Sequence, residues 1–200
     1  MRNELPILSP NQNRVSRREL ARTLLTGLAA GVLPPSISPL HPIHRHLLDG
    51  ILLDSADEAL AVGAYQPAFL SIAQLATVDK LSEAVIPGSH KAQSAEFIDL
   101  LLSVESSKHQ EDFLTSLSAL DEAASKAFHK ATAALDKHQL QQLLEAASSK
   151  DSADYHHFEN LKQWSTGAYY SSEMGMRELG WTPDRVFPTY PGCTHAENHS

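Results

Sequence analysis

His41, His44 and His46 fall close together, and neutral imidazoles are common ligands of divalent metal ions. The stretch from Pro34 to Pro42 that leads into them holds Pro-Pro, Ser-Pro and His-Pro pairs. Those pairs exclude regular helix and mark a linker. A flexible linker makes a weak metal site, so the three read as solvent-exposed histidines. A second cluster is His156-His157-Phe158-Glu159. A di-iron bundle needs Glu-x-x-His pairs on facing helices, and the chain contains none. His156 and Glu159 share one helix face and read as surface polar residues. Cys193 with a distant histidine could form a nucleophile and base. Nothing in Pro191-Gly192-Cys193-Thr194 places the thiol at a helix N-terminus, where it would be activated. One cysteine rules out an internal disulfide and an iron–sulfur cluster. There is no G-x-G-x-x-G after a strand and no C-x-x-C-H, so neither dinucleotide binding nor c-type haem attachment is expected in this chain.

The elements around these residues read as helices. Ala, Leu, Ser, Glu, Lys and Gln dominate, and β-branched runs are almost absent. Ser71 and Gln74 form a capping box that opens a helix with Leu75, Val78, Leu81 and Val85 on one face, ended by Pro87-Gly88. A second helix starts near Gln93 with Phe97, Ile98, Leu101 and Leu102 as its stripe. A third spans about 108–129 through Phe113, Leu117, Leu120, Ala124 and Phe128. Asp136 and Gln139 cap a fourth with Leu140, Leu143 and Leu144, and a fifth over about 155–174 carries Phe158, Leu161, Trp164, Ala168 and Tyr169. Residues 47–62 are a candidate short helix. The expected fold is all-α, a bundle of four to six helices with an irregular aromatic C-terminal tail. The tail, with Trp181, Phe187 and Tyr190, is too aromatic to be simply solvated and is expected to pack on something.

Charge is unevenly placed. Residues 1–33 carry five arginines against two glutamates, a net of +3, whereas the whole chain is −8. The acidic remainder would repel phosphates, so nucleic acid is not an expected partner. Within the basic leader, Ser16-Arg17-Arg18-Glu19-Leu20 precedes an apolar run that ends at Leu33. The run is shorter than the ~20 residues of a membrane span. A charged region followed by a short apolar one is an export signal, and adjacent arginines make it the twin-arginine type. The export residues are Ser16, Arg17, Arg18 and Leu20. The expected organisation is a disordered or helical leader over 1–36, a linker over 37–66 and a helical domain with its tail over 67–200. Ala29-Ala30-Gly31 is not a clean A-x-A site, so both a cleaved and an uncleaved leader stay open.

Twin-arginine export carries folded, often cofactor-loaded cargo, yet no cofactor motif is visible here. From about Phe69 to Cys193 the chain resembles gluconate 2-dehydrogenase subunit 3, the small or gamma subunit of membrane-bound sugar dehydrogenases. The matching pieces are Phe69-Leu70-Ser71, Val85-Ile86-Pro87, Phe97-Ile98-Asp99, Leu117 to Asp121 and Gln139-Leu140-Gln141-Gln142-Leu143-Leu144. The most specific are Phe158-Glu159-Asn160-Leu161-Lys162, Thr166-Gly167-Ala168-Tyr169-Tyr170-Ser171-Ser172, Leu179-Gly180-Trp181 and Tyr190-Pro191-Gly192-Cys193. Ser118 stands near a family glycine, and a longer family loop is collapsed into Pro87-Gly88-Ser89.

The resemblance implies a non-catalytic accessory subunit. A large FAD-containing subunit of the glucose–methanol–choline type would oxidise the sugar or alcohol, and a multihaem cytochrome c would take the electrons. The small subunit would assist folding and export of the flavoprotein through the twin-arginine translocase and stay bound to it in the periplasm, at the inner membrane. Trp164, Tyr169, Tyr170, Trp181, Phe187 and Tyr190 are then partner-binding candidates, with packing onto the chain's own bundle as the alternative for the tail. Cys193 is a candidate for an inter-chain disulfide, with a free buried thiol as the alternative. The competing reading is a stand-alone exported helical binding module.

Overall fold

The computed structural model describes residues 41–46, 49–61 and 65–180. The described residues form helices α1 (Pro42–His46), α2 (Gly50–Ala61), α3 (Ile72–Val85), α4 (Ser94–Ser103), α5 (Ser107–Phe128), α6 (Lys137–Ser148), α7 (Tyr155–Tyr170) and α8 (Glu173–Glu178), with a 3-10 turn at Thr132–Ala134. No strand occurs among them. The all-α expectation therefore holds, and the helices of ten or more residues are α2 to α7.

Helix α7 is the central post. It packs against α1, α3, α4, α5, α6 and α8. The stripes read from the sequence form the core: Phe97, Ile98, Leu101 and Leu102 of α4 are fully buried, as is Phe113 of α5. Trp164 of α7 meets Phe113 edge-on at 5.9 Å between ring centres. Both capping boxes form, with the Ser71 and Asp136 side chains accepting from the Gln74 and Gln139 amides. Each satisfies helix-end donors that would otherwise lack partners.

The fifth helix is shorter than expected. It stops at Tyr170, because Ser171 Oγ and Ser172 Oγ bond back to the carbonyls of Ala168 and Tyr169 at 2.9 and 2.6 Å. Ser172 then caps α8 by accepting from the Gly175 amide at 3.1 Å. A Cβ at Gly175 would lie 2.4 Å from the Tyr169 carbonyl oxygen, so this turn closes only with glycine.

Pro42 starts a short helix within the stretch 37–66, which was expected to be a linker with a candidate short helix. Pro42 is the first residue of α1, a position that needs no amide hydrogen and suits the ring's fixed φ. Ile43 is fully buried, and a Cβ at Gly167 would stand 2.8 Å from its side chain. Glycine near the C-terminal end of α7 is thus what lets α1 come so close.

One buried carboxylate joins the start of α3 to α4. Asp99 is fully buried in the otherwise apolar stripe of α4. It accepts from the Tyr65 hydroxyl at 2.6 Å and from the amides of Ala68, Phe69 and Leu70. Burial, and then the bond to Asp99, drive the Tyr65 phenol far above its ordinary pKa, so it stays protonated and donates. Asp99→Asn keeps the shape but turns an amide donor toward these donors. It is expected to lower stability by about 2–3 kcal/mol, with Tyr65→Phe costing about 1 kcal/mol. Urea unfolding of the two variants measures both, and an unchanged midpoint for Asp99→Asn would refute the role.

Candidate functional site

The chemistry-bearing side chains near the start of the described chain are bound, not solvated. His41 Nε2 donates to Asn160 Oδ1 at 3.0 Å, and its ring meets Trp164 edge-on at 5.1 Å. Asn160 in turn donates to Ser116 Oγ of α5 at 2.9 Å. The expectation of solvent-exposed histidines is corrected here for His41 and His46; the side chain of His44 lies outside the described residues. His46 Nε2 lies 2.6 Å from Glu105 Oε2, and His109 Nδ1 lies 2.9 Å from Oε1. The Ser106 amide donates to the same carboxylate at 2.7 Å. Residues 41–46 are therefore strapped across the bundle at three points: His41 on α7, Ile43 against Gly167, and His46 at the α4–α5 corner.

The other histidine cluster is dispersed. His157 Nδ1 pairs with Ser116 Oγ at 3.2 Å, while His156 is exposed. Among the described residues, no group of three or more His, Cys, Asp or Glu is placed to hold a metal ion.

The sequence-predicted partner-binding residues divide by burial. Trp164 is 1% exposed, between Phe113 and His41, and Tyr169 is fully buried, so both rings belong to the core. Burial first, and then Glu178, push the Tyr169 phenol up to about 12. Tyr170 is 37% exposed and stacks edge-on against Tyr169 at 5.2 Å. With Met174 at 37% and Leu179 at 65%, it gives α7 and α8 an exposed apolar end. Trp181, Phe187, Tyr190 and Cys193 lie outside the described residues, as do Ser16, Arg17, Arg18 and Leu20.

The turn over Pro87-Gly88-Ser89 is built on Glu83. Its carboxylate accepts from the amides of Gly88 at 3.0 Å and His90 at 2.9 Å. Burial would raise its pKa, but these bonds from His90 and Gly88 outweigh it and hold the group below the ordinary range. Gly88 places the turn against the Tyr169 hydroxyl and Met174, directly below the exposed apolar end.

Sequence reasoning named Asp99 and Asn160 only as members of family motifs, without a contact for either, and passed over Glu105. The signal for Asp99 was an acid inside a continuous apolar stripe. Glu105 directly precedes the cap residue Ser106 and follows exposed Val104, a pattern shared with many surface corners. Glu105 Oε1 also lies 3.6 Å from Arg45 Nη2.

Burial alone would raise the Glu105 pKa. The bonds from His109, the Ser106 amide and His46 overcome that and hold it at about 2. A folded-state pKa below the unfolded value means that the carboxylate stabilises the fold above roughly pH 4.5 and that this contribution fades as pH falls toward 2. Glu105→Gln is expected to cost about 2 kcal/mol at pH 7 and much less at pH 3. Urea midpoints of both proteins at the two pH values check this; a cost that does not shrink at pH 3 would contradict it.

The family model for gluconate 2-dehydrogenase subunit 3 matches residues 72–187. The match opens at Ile72, the first residue of α3, and runs through every helix to α8 and beyond. No curated protein and no solved structure gives a match. Asp99, Asn160, Gly167 and the Ser171–Ser172 turn all fall within the matched region and each fixes a helix contact described above. With more than half of its length matched, the chain belongs to the gluconate 2-dehydrogenase subunit 3 family.

Proposed function

We propose that this chain is the non-catalytic small subunit of a periplasmic flavoprotein dehydrogenase, acting on gluconate, another sugar or an alcohol. It assists folding of the large FAD subunit, carries it out by the twin-arginine route and remains bound to it. The observation that carries this reading is the family match over residues 72–187. The leader Ser16-Arg17-Arg18-Glu19-Leu20 supports the export half. FAD is assigned to the large subunit because the family resemblance puts the flavin in a partner of the glucose–methanol–choline type and the sequence holds no dinucleotide fingerprint. A cytochrome subunit with haem c would take the electrons onward.

Tyr170, Met174 and Leu179 are the surface offered to the large subunit, since they are exposed apolar side chains at one end of the bundle. Cys193 lies fourteen residues beyond Leu179, within reach of the same partner. An exported compartment permits an inter-chain disulfide there.

Replacing Arg17 and Arg18 with lysine is expected to remove both this chain and the flavoprotein from the periplasmic fraction, followed by immunoblot and by dehydrogenase activity. Loss of this chain alone would defeat shared export and favour a stand-alone exported module. For the thiol, non-reducing electrophoresis of the co-purified complex is expected to show one band at the summed mass, split by reductant and absent in Cys193→Ser. A small subunit that migrates by itself without reductant would exclude the bond.

A further inference from the structure

The exposed end formed by Tyr170, Met174 and Leu179 carries a charge as well as apolar side chains. Glu178, next to Leu179, is exposed. Met174 and Glu178 are four residues apart and Gly175 and Glu178 three, so they share one side of α8. A Cβ on Gly175 would meet the Tyr169 carbonyl and the Tyr170 Cα, so that side is turned to the end of α7.

No cation among the described residues answers the Glu178 charge. Arg177 is held by Glu173 Oε1 through Nε at 2.8 Å and Nη2 at 2.6 Å. His90, after the Pro87-Gly88-Ser89 turn, is held by Asp79 at 2.9 Å. Glu83 is bonded by the Gly88 and His90 amides, neutral groups that leave its charge in place, and its field also reaches the Tyr169 phenol. The apolar end is therefore negative at its centre.

A second group at the same place lacks its complement. Tyr169 is fully buried, and its hydroxyl has no hydrogen-bond partner. The hydroxyl and the Met174 sulfur face one spot: a Cβ on Gly88 would lie 3.3 Å from the first and 3.5 Å from the second. Glu178 is near enough to raise the phenol's pKa, yet the two do not meet at bonding geometry. A buried hydroxyl without a partner costs the fold stability, and phenylalanine would fill the same space without that cost.

We infer that this end receives a protein surface carrying an arginine among apolar side chains, with Glu178 as its counter-ion and the Tyr169 hydroxyl as the donor that steadies the Glu178 carboxylate. One carboxylate oxygen accepts from the phenol, and the other is left outward for the guanidinium. Arginine suits the site better than lysine, because its planar fork matches a carboxylate and its face lies well on an exposed ring such as Tyr170. Tyr170, Met174 and Leu179 surround the pair and exclude water from it. The inference rests on the large subunit being the partner and adds the chemistry of the contact.

The test co-expresses tagged full-length chain with the flavoprotein and follows release of flavin from the immobilised complex. Glu178→Gln is expected to release the flavoprotein about 30-fold faster than wild type, and Tyr169→Phe about 5-fold faster. Wild type is expected to release faster in about 500 mM than in about 50 mM salt, and Glu178→Gln to lose most of that dependence. Glu122→Gln, an exposed carboxylate on α5 that lines a different cleft, is the control and is expected to match wild type. In the full chain without its partner, Tyr169→Phe is expected to keep or raise the urea midpoint. A wild-type complex whose release is unchanged by Glu178→Gln would overturn the inference and leave the pairing standing. A lowered urea midpoint for Tyr169→Phe would overturn it too, since the hydroxyl would then be satisfied already, by a buried water. A wild-type chain that retains no flavin would refute the pairing itself and this contact with it.

Discussion

The Asp99 carboxylate is the constraint on which the entry to the bundle depends. A carboxylate with no exposed surface is tolerated only when its lone pairs are filled, and here three consecutive backbone amides and one phenol fill them. The geometry works because residues 68–70 present their amides together just before the Ser71 cap. The acid therefore fixes where α3 begins as well as how it meets α4. Burying the apolar side chains of α4 contributes most of the attraction, but it does not select one register. A carboxylate that must meet three particular amides does select one, since any slip leaves a buried charge without partners.

The same logic explains how residues 41–46 hold to the bundle. Ile43 brings the burial, Gly167 provides the space, and the paired ends at His41 and His46 set the direction. In the shared-export reading this has a mechanical consequence. The segment that follows the leader is anchored to α7 and to the α4–α5 corner, so its attachment depends on contacts that exist only once those helices have assembled. A twin-arginine leader hung from such a strap is coupled to the folded state of the body behind it.

The helices were legible because each carries its own local signal: a capping box, a stop at Pro87-Gly88, and an apolar stripe at helical spacing. Phe97, Ile98, Leu101 and Leu102 needed no partner to be recognised as one face. What stayed hidden depends on two distant segments at once. His41 and His46 look like linker residues until Trp164, Asn160 and Glu105 are brought to them, more than fifty residues away in sequence. The overlong reading of α7 had a different cause. Periodicity continues through Ser171 and Ser172, but serine hydroxyls that bond back to the preceding turn supply what a helix end lacks, and local pattern does not reveal that choice. For the candidate site, burial mattered more than residue type. Trp164 and Tyr169 have the character of interface aromatics, and only the packing of α7 shows that their rings are already occupied.

The short motifs that carried the family resemblance gain a physical meaning from these contacts. Phe69-Leu70-Ser71 and Phe97-Ile98-Asp99 lie about thirty residues apart, yet they are the two sides of one hydrogen-bonded cluster. Asn160 joins α7 to α5 and to His41, and the stretch from Thr166 to Ser172 holds the glycine that admits α1 and the serines that end α7. None of these roles needs a substrate. They are the requirements of a bundle that must hold one shape, with its exposed apolar end at Tyr170, Met174 and Leu179. Under the proposed role of gripping a large subunit, a rigid body with exposed apolar side chains held in place is the property that matters, because a flexible grip would lose to ordering entropy what its contacts contribute.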